Sequence, residues 1–273
     1  MKKLEEIADY IDEDGNTIES PNRYSKRVSV TFRGKNNRII VDPDAKLKEL
    51  QVVFDCNNGL LTIGPNSKHG FSMSIRIGED AQVIVGSDVT STTRCIVSAV
   101  EGATVEFGDD VMLASQNQVR ADDGHPIFDV ETGKRINPAR DIYIGNHVWL
   151  GAQVVVLGGA DIGPGSVIGF GSIVTGRISN NCIAVGSPAR MVRQNIAWER
   201  PHLSFVGPPY KPDSSTVQVN EEYWALTESL EPEAAVVPEA EKVRAITPAR
   251  ARVGASKSLV SKILSRFGYE RQA

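Results

Sequence analysis

The chain has 273 residues, 41% of them hydrophobic and only 6% aromatic, with a net charge of −4. That length holds one large domain or two modest ones, and the acidic balance argues against a general nucleic-acid binder. No stretch approaches a transmembrane helix, and MKKLEEIADYIDEDG carries acidic residues where a signal peptide needs an apolar run, so the expectation is a soluble, cytoplasmic protein.

Residues 1–27 read as a lead-in. Leu4, Ile7 and Ile11 fall on one side of a helical wheel, which predicts a short helix over 2–12, ended by Asp14-Gly15-Asn16. From Val28 the pattern alternates: Val28, Val30 and Phe32, a turn at Gly34-Lys35-Asn36-Asn37, then Ile39 to Val41. A similar unit recurs at Leu50, Val52 and Phe54, with a turn at Asn57-Asn58-Gly59. These units are expected to be irregular early coils that cap a solenoid and cover its open strand edge.

From Ile77 the chain counts in sixes. The first positions are Ile77, Val83, Val89, Cys95, Glu101, Phe107 and Leu113, apolar in six of seven blocks. The fifth positions are Ala81, Ser87, Thr93, Ala99, Val105, Val111 and Asn117, and only Asn117 departs from small or β-branched residues. Val119 and Ile144 are 25 positions apart, one more than a multiple of six, so the register breaks between them. The break is the polar, turn-rich loop 120–141, which contains Asp122, Asp123 and His125. A long loop ejected from a regular scaffold is where function tends to sit.

The count resumes from Ile144 to Ser179 as IGNHVW, LGAQVV, VLGGAD, IGPGSV, IGFGSI and VTGRIS. First positions are Ile144, Leu150, Val156, Ile162, Ile168 and Val174, and fifth positions are Val148, Val154, Ala160, Ser166, Ser172 and Ile178. Neither a helix nor a strand alone has a period of six. A strand and a turn, repeated with one aliphatic side chain buried per block, give that period, and coils of three blocks stack into a solenoid. Cys95 reads as a small buried residue at an inward position, and Cys56, Cys95 and Cys182 contain no CxxC pair, which predicts a reducing compartment.

Beyond Arg193 the composition changes. Pro201, Pro208, Pro209 and Pro212 suit an extended strap. Residues 221–241 hold seven glutamates, and 242–273 hold eight Lys or Arg. There Leu259, Val260, Ile263, Leu264 and Phe267 form one face of a predicted helix that Ser256 caps and Gly268 ends. Its expected use is docking on the body or a neighbouring subunit; the alternative is a basic amphipathic contact with a membrane surface.

With the hexapeptide repeats, the Asp123-Gly124-His125 motif and the run from IGNHVWLGAQVVV to GSPARMVR, the chain resembles the hexapeptide-repeat acyltransferases. The resemblance is to the acetyl-CoA-dependent O-acetyltransferases among them and covers roughly residues 28–195. It implies a mainly β protein, a left-handed parallel β-helix over 28–195, and a homotrimer with active sites between subunits. It implies acetyl transfer from acetyl-CoA to a hydroxyl, most readily of a sugar or polysaccharide precursor, with antibiotic or serine acceptors as alternatives. Residues 196–273 then form a C-terminal strap and helix.

In that reading His125 is the general base and then the acid, because neutral imidazole can both take the hydroxyl proton and protonate the departing thiolate. Asp122 or Asp123 orients the ring or is merely solvated. Asn117 either meets the acceptor or oxyanion, or ends a coil with a ladder bond. His147, at a repeat turn, reads as exposed and structural. By similarity, Gly151 and Ala152 lie near the thioester, Phe170 and Thr175 along the pantetheine arm, and Trp149 walls the groove. Arg190 and Arg193 meet the phosphates, for which a guanidinium fork is suited. Family members commonly carry Ser at the place of Ala152 and a small residue at that of Phe170. There is no GxSxG elbow or Walker loop, and His69, His125 and His147 are too scattered for a zinc site, so no metal is expected. The rival reading is a non-catalytic β-helix scaffold used for assembly.

Overall fold

A computed structural model describes residues 1–207 and 212–229. Its strands form three sheets of eight, nine and six strands around one axis, and the chain passes from sheet to sheet through tight corners. One ladder in the eight-stranded first sheet sets the pattern. Val30, Val52, Ile75, Val97, Val119, Val156 and Val174 are register neighbours in parallel pairs, and each is at most 1% exposed. Burying each such side chain contributes roughly 1.5–3 kcal/mol, so the coil interior accepts little but aliphatic residues. At the wider N-terminal end, Tyr10, Phe32 and Phe54 stack at centroid spacings of 6.0 and 5.2 Å.

The repeats from Ile144 to Ser179 fold as their spacing predicts: every first and fifth position is buried. Ser166 and Ser172 keep their hydroxyls paired there, Ser166 donating to the Ser179 carbonyl at 2.7 Å and Ser172 accepting from Gly186 N at 3.1 Å. The earlier block departs from strict sixes. The buried positions run Val97, Val105, Leu113, Val119, so the corners after the first and second sheets each take two extra residues. The left-handed residues Glu101 (φ 56°), Gly102 (φ 75°) and Asp110 (φ 58°) make these wider turns. Glu101 is therefore outside the coil, and Ser87 and Thr93 do not point inward. The strands at Val28–Phe32, Arg38–Val41 and Leu47–Phe54 pair in parallel like the later coils, and the expected irregularity is confined to a register shift between Leu47 and Glu49.

The helix expected over 2–12 does not form. Lys2–Leu4 pairs antiparallel with Val28–Phe32, Ile7 bridges to Tyr24, and Tyr10–Ile11 pairs antiparallel with Thr17–Glu19. Ile7 is fully buried and Ile11 is 76% exposed, so the presumed apolar face is split. The open edge of the first coil offers a row of unpaired backbone groups, and pairing with it overrides a marginal helical preference in so short a segment. At the other end Ile183–Gly186 turns back onto Ala189–Arg193 as an antiparallel hairpin. The helix expected around 256–268 lies outside the described residues.

Residues 196–200 and Tyr223 lie along the corner between the second and third sheets, and a polar clasp holds them there. His147, expected to be exposed, is 2% exposed. Its ring is stacked between Trp198 at 4.1 Å and Tyr223 at 4.4 Å. Nδ1 faces Asp110 Oδ2 at 2.6 Å, Nε2 faces the Trp198 carbonyl at 2.9 Å, and Trp198 Nε1 donates back to the His147 carbonyl at 2.9 Å. Asp110 also binds Lys68 and accepts from Arg200 Nε at 2.6 Å. Further along, Asn181 Nδ2 donates to the carbonyls of Ile196 and Tyr223 at 3.1 and 2.6 Å.

Burial alone would push the Asp110 carboxyl up, but hydrogen bonds from His147 and Lys68, with the charges of Arg200 and Lys68, hold it well below the usual carboxylate range. A carboxylate depressed in the folded state stabilises above its unfolded pKa, and that contribution fades as pH falls below about 4. Asp110→Asn is therefore expected to speed limited proteolysis within 196–229 at neutral pH, with the difference from wild type shrinking below about pH 4. Equal cleavage rates at neutral pH would remove Asp110 from this role.

Candidate active site

The insertion between Arg120 and Ile142 leaves the solenoid at the corner between the first and second sheets. Its far part folds on itself through the Phe128–Arg135 bridge and the Ile136 N to Ile127 O bond of 2.9 Å. Asp129 closes the turn by accepting from Thr132 N at 2.7 Å and Oγ1 at 2.8 Å. Its root is fixed by Glu101, the residue that broke the repeat pattern: this carboxylate binds Arg135 and accepts from Ala139 N at 3.1 Å. The Arg135 hydrogen bond, with that of Ala139 N, holds the Glu101 carboxyl below its ordinary value.

His125 stands exposed on this loop. Neither neighbouring carboxylate orients its ring. Asp122 accepts from Gly124 N at 2.8 Å and from Ser98 Oγ. Asp123 accepts from Asn137 Nδ2 at 2.9 Å. The same Asn137 nitrogen donates to the His125 carbonyl at 2.9 Å, and its Oδ1 accepts from Ile127 N at 2.7 Å. Asp123 thus acts on the loop backbone through Asn137. Sequence reasoning passed over Asn137 because an asparagine in a polar loop carries no signal until its partners are brought around it.

The residues assigned to the donor divide between two corners and one sheet end. Gly151, Ala152 and Phe170 lie at the corner between the third and first sheets, joined by Gly151 N to Ile168 O at 2.8 Å and Gly171 N to Ala152 O at 2.9 Å. A Cβ on Gly151 would meet Ile168 O at 2.8 Å and Phe170 N at 3.0 Å, so only glycine lets the coils close there. Phe170 projects outward, 72% exposed. Trp149, 36% exposed, sits just before this corner, with its ring 5.8 Å from that of Trp198. Arg190 and Arg193 lie exposed on the terminal strand Ala189–Arg193.

Asn117 faces into the coil rather than toward a ligand. It is 1% exposed, and its Nδ2 donates to the Gly151 carbonyl at 2.7 Å, while Oδ1 is buried without a partner. The ladder-bond alternative is the one the structure has, and Asn117 therefore fixes the Gly151 turn from behind. Thr175 lies at the opposite corner, with the loop. There it lines a cavity of about 400 Å³ together with Asp122, Asp123, Asn137, Arg140 and Leu157. Ala152 and Gly158 bracket the strand Val155–Leu157 that separates the two corners, a span of up to roughly 20 Å at about 3.3 Å per residue. One chain thus brings Thr175 near the His125 loop but leaves Gly151, Ala152 and Phe170 on the far side of a sheet.

Residues 141–176 match the family model of the bacterial transferase hexapeptide, six repeats. A polysialic acid O-acetyltransferase of Escherichia coli O1:K1 / APEC is 40% identical over 46% of this chain, which spans 42% of that relative's length. A polysialic acid O-acetyltransferase of Neisseria meningitidis is 32% identical over 68% of this chain and 86% of its own. Among solved structures, the polySia-specific acetyltransferase NeuO matches with a TM-score of 0.59 at 33% identity, covering 70% of this chain and 94% of that one. The polysialic acid O-acetyltransferase OatWY matches with a TM-score of 0.60 at 26% identity, covering 77% and 96%. The three-sided coil is thus the left-handed β-helix of these enzymes. On this coverage and identity, with the repeats and the ejected loop in place, the chain belongs to the hexapeptide-repeat acetyltransferase family.

Proposed function

We propose that this protein transfers the acetyl group of acetyl-CoA to a hydroxyl of a saccharide, in sites shared between neighbouring copies of a homotrimer. The observation that carries the reading is the split of the site: His125 and Thr175 at one corner, Gly151, Ala152 and Phe170 at another, with a sheet between them. A neighbouring copy related by a closed rotation sets one chain's loop corner against the next chain's Gly151 corner. The exposed apolar residues of the loop favour such a contact, since Ile127, Phe128, Val130 and Ile136 are 50–96% exposed.

In the reaction an imidazole nitrogen of His125 takes the acceptor's hydroxyl proton as that oxygen attacks the thioester carbonyl carbon. The C–S bond then breaks, and the same proton passes to the departing thiolate sulfur. A base of pKa near neutrality suits both transfers. Asp123 supports His125 through Asn137 and the loop backbone. Asn117 holds the carbonyl of Gly151, so the backbone of that turn is fixed where the extended pantetheine arm passes. In this reading Trp149 and Phe170 supply apolar walls, and Arg190 and Arg193 meet the phosphates. Relatives that act on polysialic acid favour a sugar acceptor over an antibiotic or serine. The three cysteines, two buried and none paired, favour a reducing compartment, in keeping with the cytoplasm.

His125→Ala is expected to lower kcat by roughly 10²–10⁴-fold while leaving acetyl-CoA binding in place, the usual span for loss of a general base. An unchanged rate would remove His125 from the chemistry. Calorimetric titration with acetyl-CoA should show saturable binding near one site per chain, weakened at least about tenfold in Arg190→Ala/Arg193→Ala through loss of charge-assisted contacts. No binding to the intact oligomer would favour the scaffold reading instead.

A further inference from the structure

The third sheet begins only at Thr90–Ser91. In the earlier coils that side of the solenoid is closed by turns, and a groove of about 840 Å³ opens between them and the strap. This is within the range of ligand sites. Its walls include Lys46, Lys48, His69, Met112, His202 and Phe205, and no carboxylate lines it. On a chain of net charge −4 that is a local reversal of sign.

The two lysines are held in place without being neutralised. Lys46 Nζ donates to the Ser67 carbonyl and Lys48 Nζ to the Ser91 carbonyl, each at 3.0 Å. Among the described residues neither has a carboxylate partner. Lys68 and Arg200 also border the groove, but Asp110 engages both. Phe205 is 87% exposed at the rim, with the His202 ring edge-on at 6.3 Å. An exposed aromatic face beside fixed cations is a platform for a ring with an apolar face and an anionic substituent.

The groove's Met112 end lies one coil from Trp149. Thr90 pairs with Met112, and Met112 pairs with Trp149 one coil further on. A chain lying along the third side therefore runs from Lys46 and Lys48, past Met112, to Trp149 beside the Gly151 turn. We infer that this groove is an acceptor subsite that binds a segment of a carboxylate-bearing polysaccharide while a neighbouring sugar is acetylated. Lys46 and Lys48 meet the carboxylates and Phe205 stacks on a sugar ring. The inference rests on the acetyltransferase reading for its role, but the binding it requires does not depend on turnover.

The test uses the full-length protein and an oligomer of sialic acid as the probe, in two measurements. In equilibrium binding without donor, Lys46→Ala/Lys48→Ala is expected to weaken the oligomer's affinity by at least about tenfold, since a charge-assisted contact is lost at each position. Lys46→Arg/Lys48→Arg should retain most of it, and added salt should weaken wild-type binding more than that of the alanine variant. In steady-state transfer from acetyl-CoA the loss should fall on the acceptor KM rather than on kcat, and Phe205→Ala should raise the same KM. Wild-type transfer with oligomer affinity and KM unmoved by both lysine substitutions would overturn the groove and leave the transferase standing. Lysine-dependent binding with no transfer by wild type would leave the groove standing and overturn the transferase. Equal affinity for single-stranded DNA of matched charge would show a general polyanion surface and overturn the assignment to a saccharide.

Discussion

Everything in this molecule depends on one stacked column of aliphatic side chains. From Val30 to Val174 each coil places a buried Val or Ile on the one before it, and each coil contacts only its neighbours. The interior leaves no room for catalysis, and its polar members serve the backbone. Ser166 and Ser172 cap neighbouring main-chain groups, and Asn117 holds the Gly151 carbonyl. In the proposed reading chemistry is therefore confined to the corners, where extra residues can leave the coil without disturbing the column.

Each of the three corners has been put to a different use. The first–second corner ejects the His125 loop and roots it on Glu101, which the wider turn has turned outward. The third–first corner is pared down to glycine so that adjacent coils approach closely at Gly151. The second–third corner is closed by the strap, whose clasp satisfies the buried His147 and the part-buried Asp110, as buried polar groups require. The strap then forms one wall of the cationic groove, so the clasp and the groove share Lys68 and Arg200.

What could be read from the residues follows the same division. The inward positions of the blocks from Ile144 to Ser179 were legible because both such positions of each six are constrained by packing. Between Ile77 and Gln118 the count in sixes failed at Glu101, Ser87 and Thr93, because coils of 22 residues reach the same buried column with wider corners, and inward spacing alone does not report corner length. The N-terminal segment misled for a physical reason: an apolar spacing of three and four suits a helix in isolation, but an open sheet edge supplies better partners. His147 looked exposed because a turn position of a repeat gives no sign that a segment some 50 residues later will cover it. His125 was legible as an exposed loop histidine, whereas Asn137 became visible only once its partners were in place.

The central claim is that a complete site needs two copies of the chain, one giving the His125 loop and the other the Gly151 corner. It is tested most directly by mixing two inactive variants, His125→Ala and Ala152→Glu, under conditions that let subunits exchange. With sites between subunits of a trimer, the mixture should regain about one quarter of wild-type activity, since that fraction of interfaces pairs an intact loop with an intact corner. A mixture that exchanges subunits and stays inactive would show that each chain builds its own site, and would contradict the account.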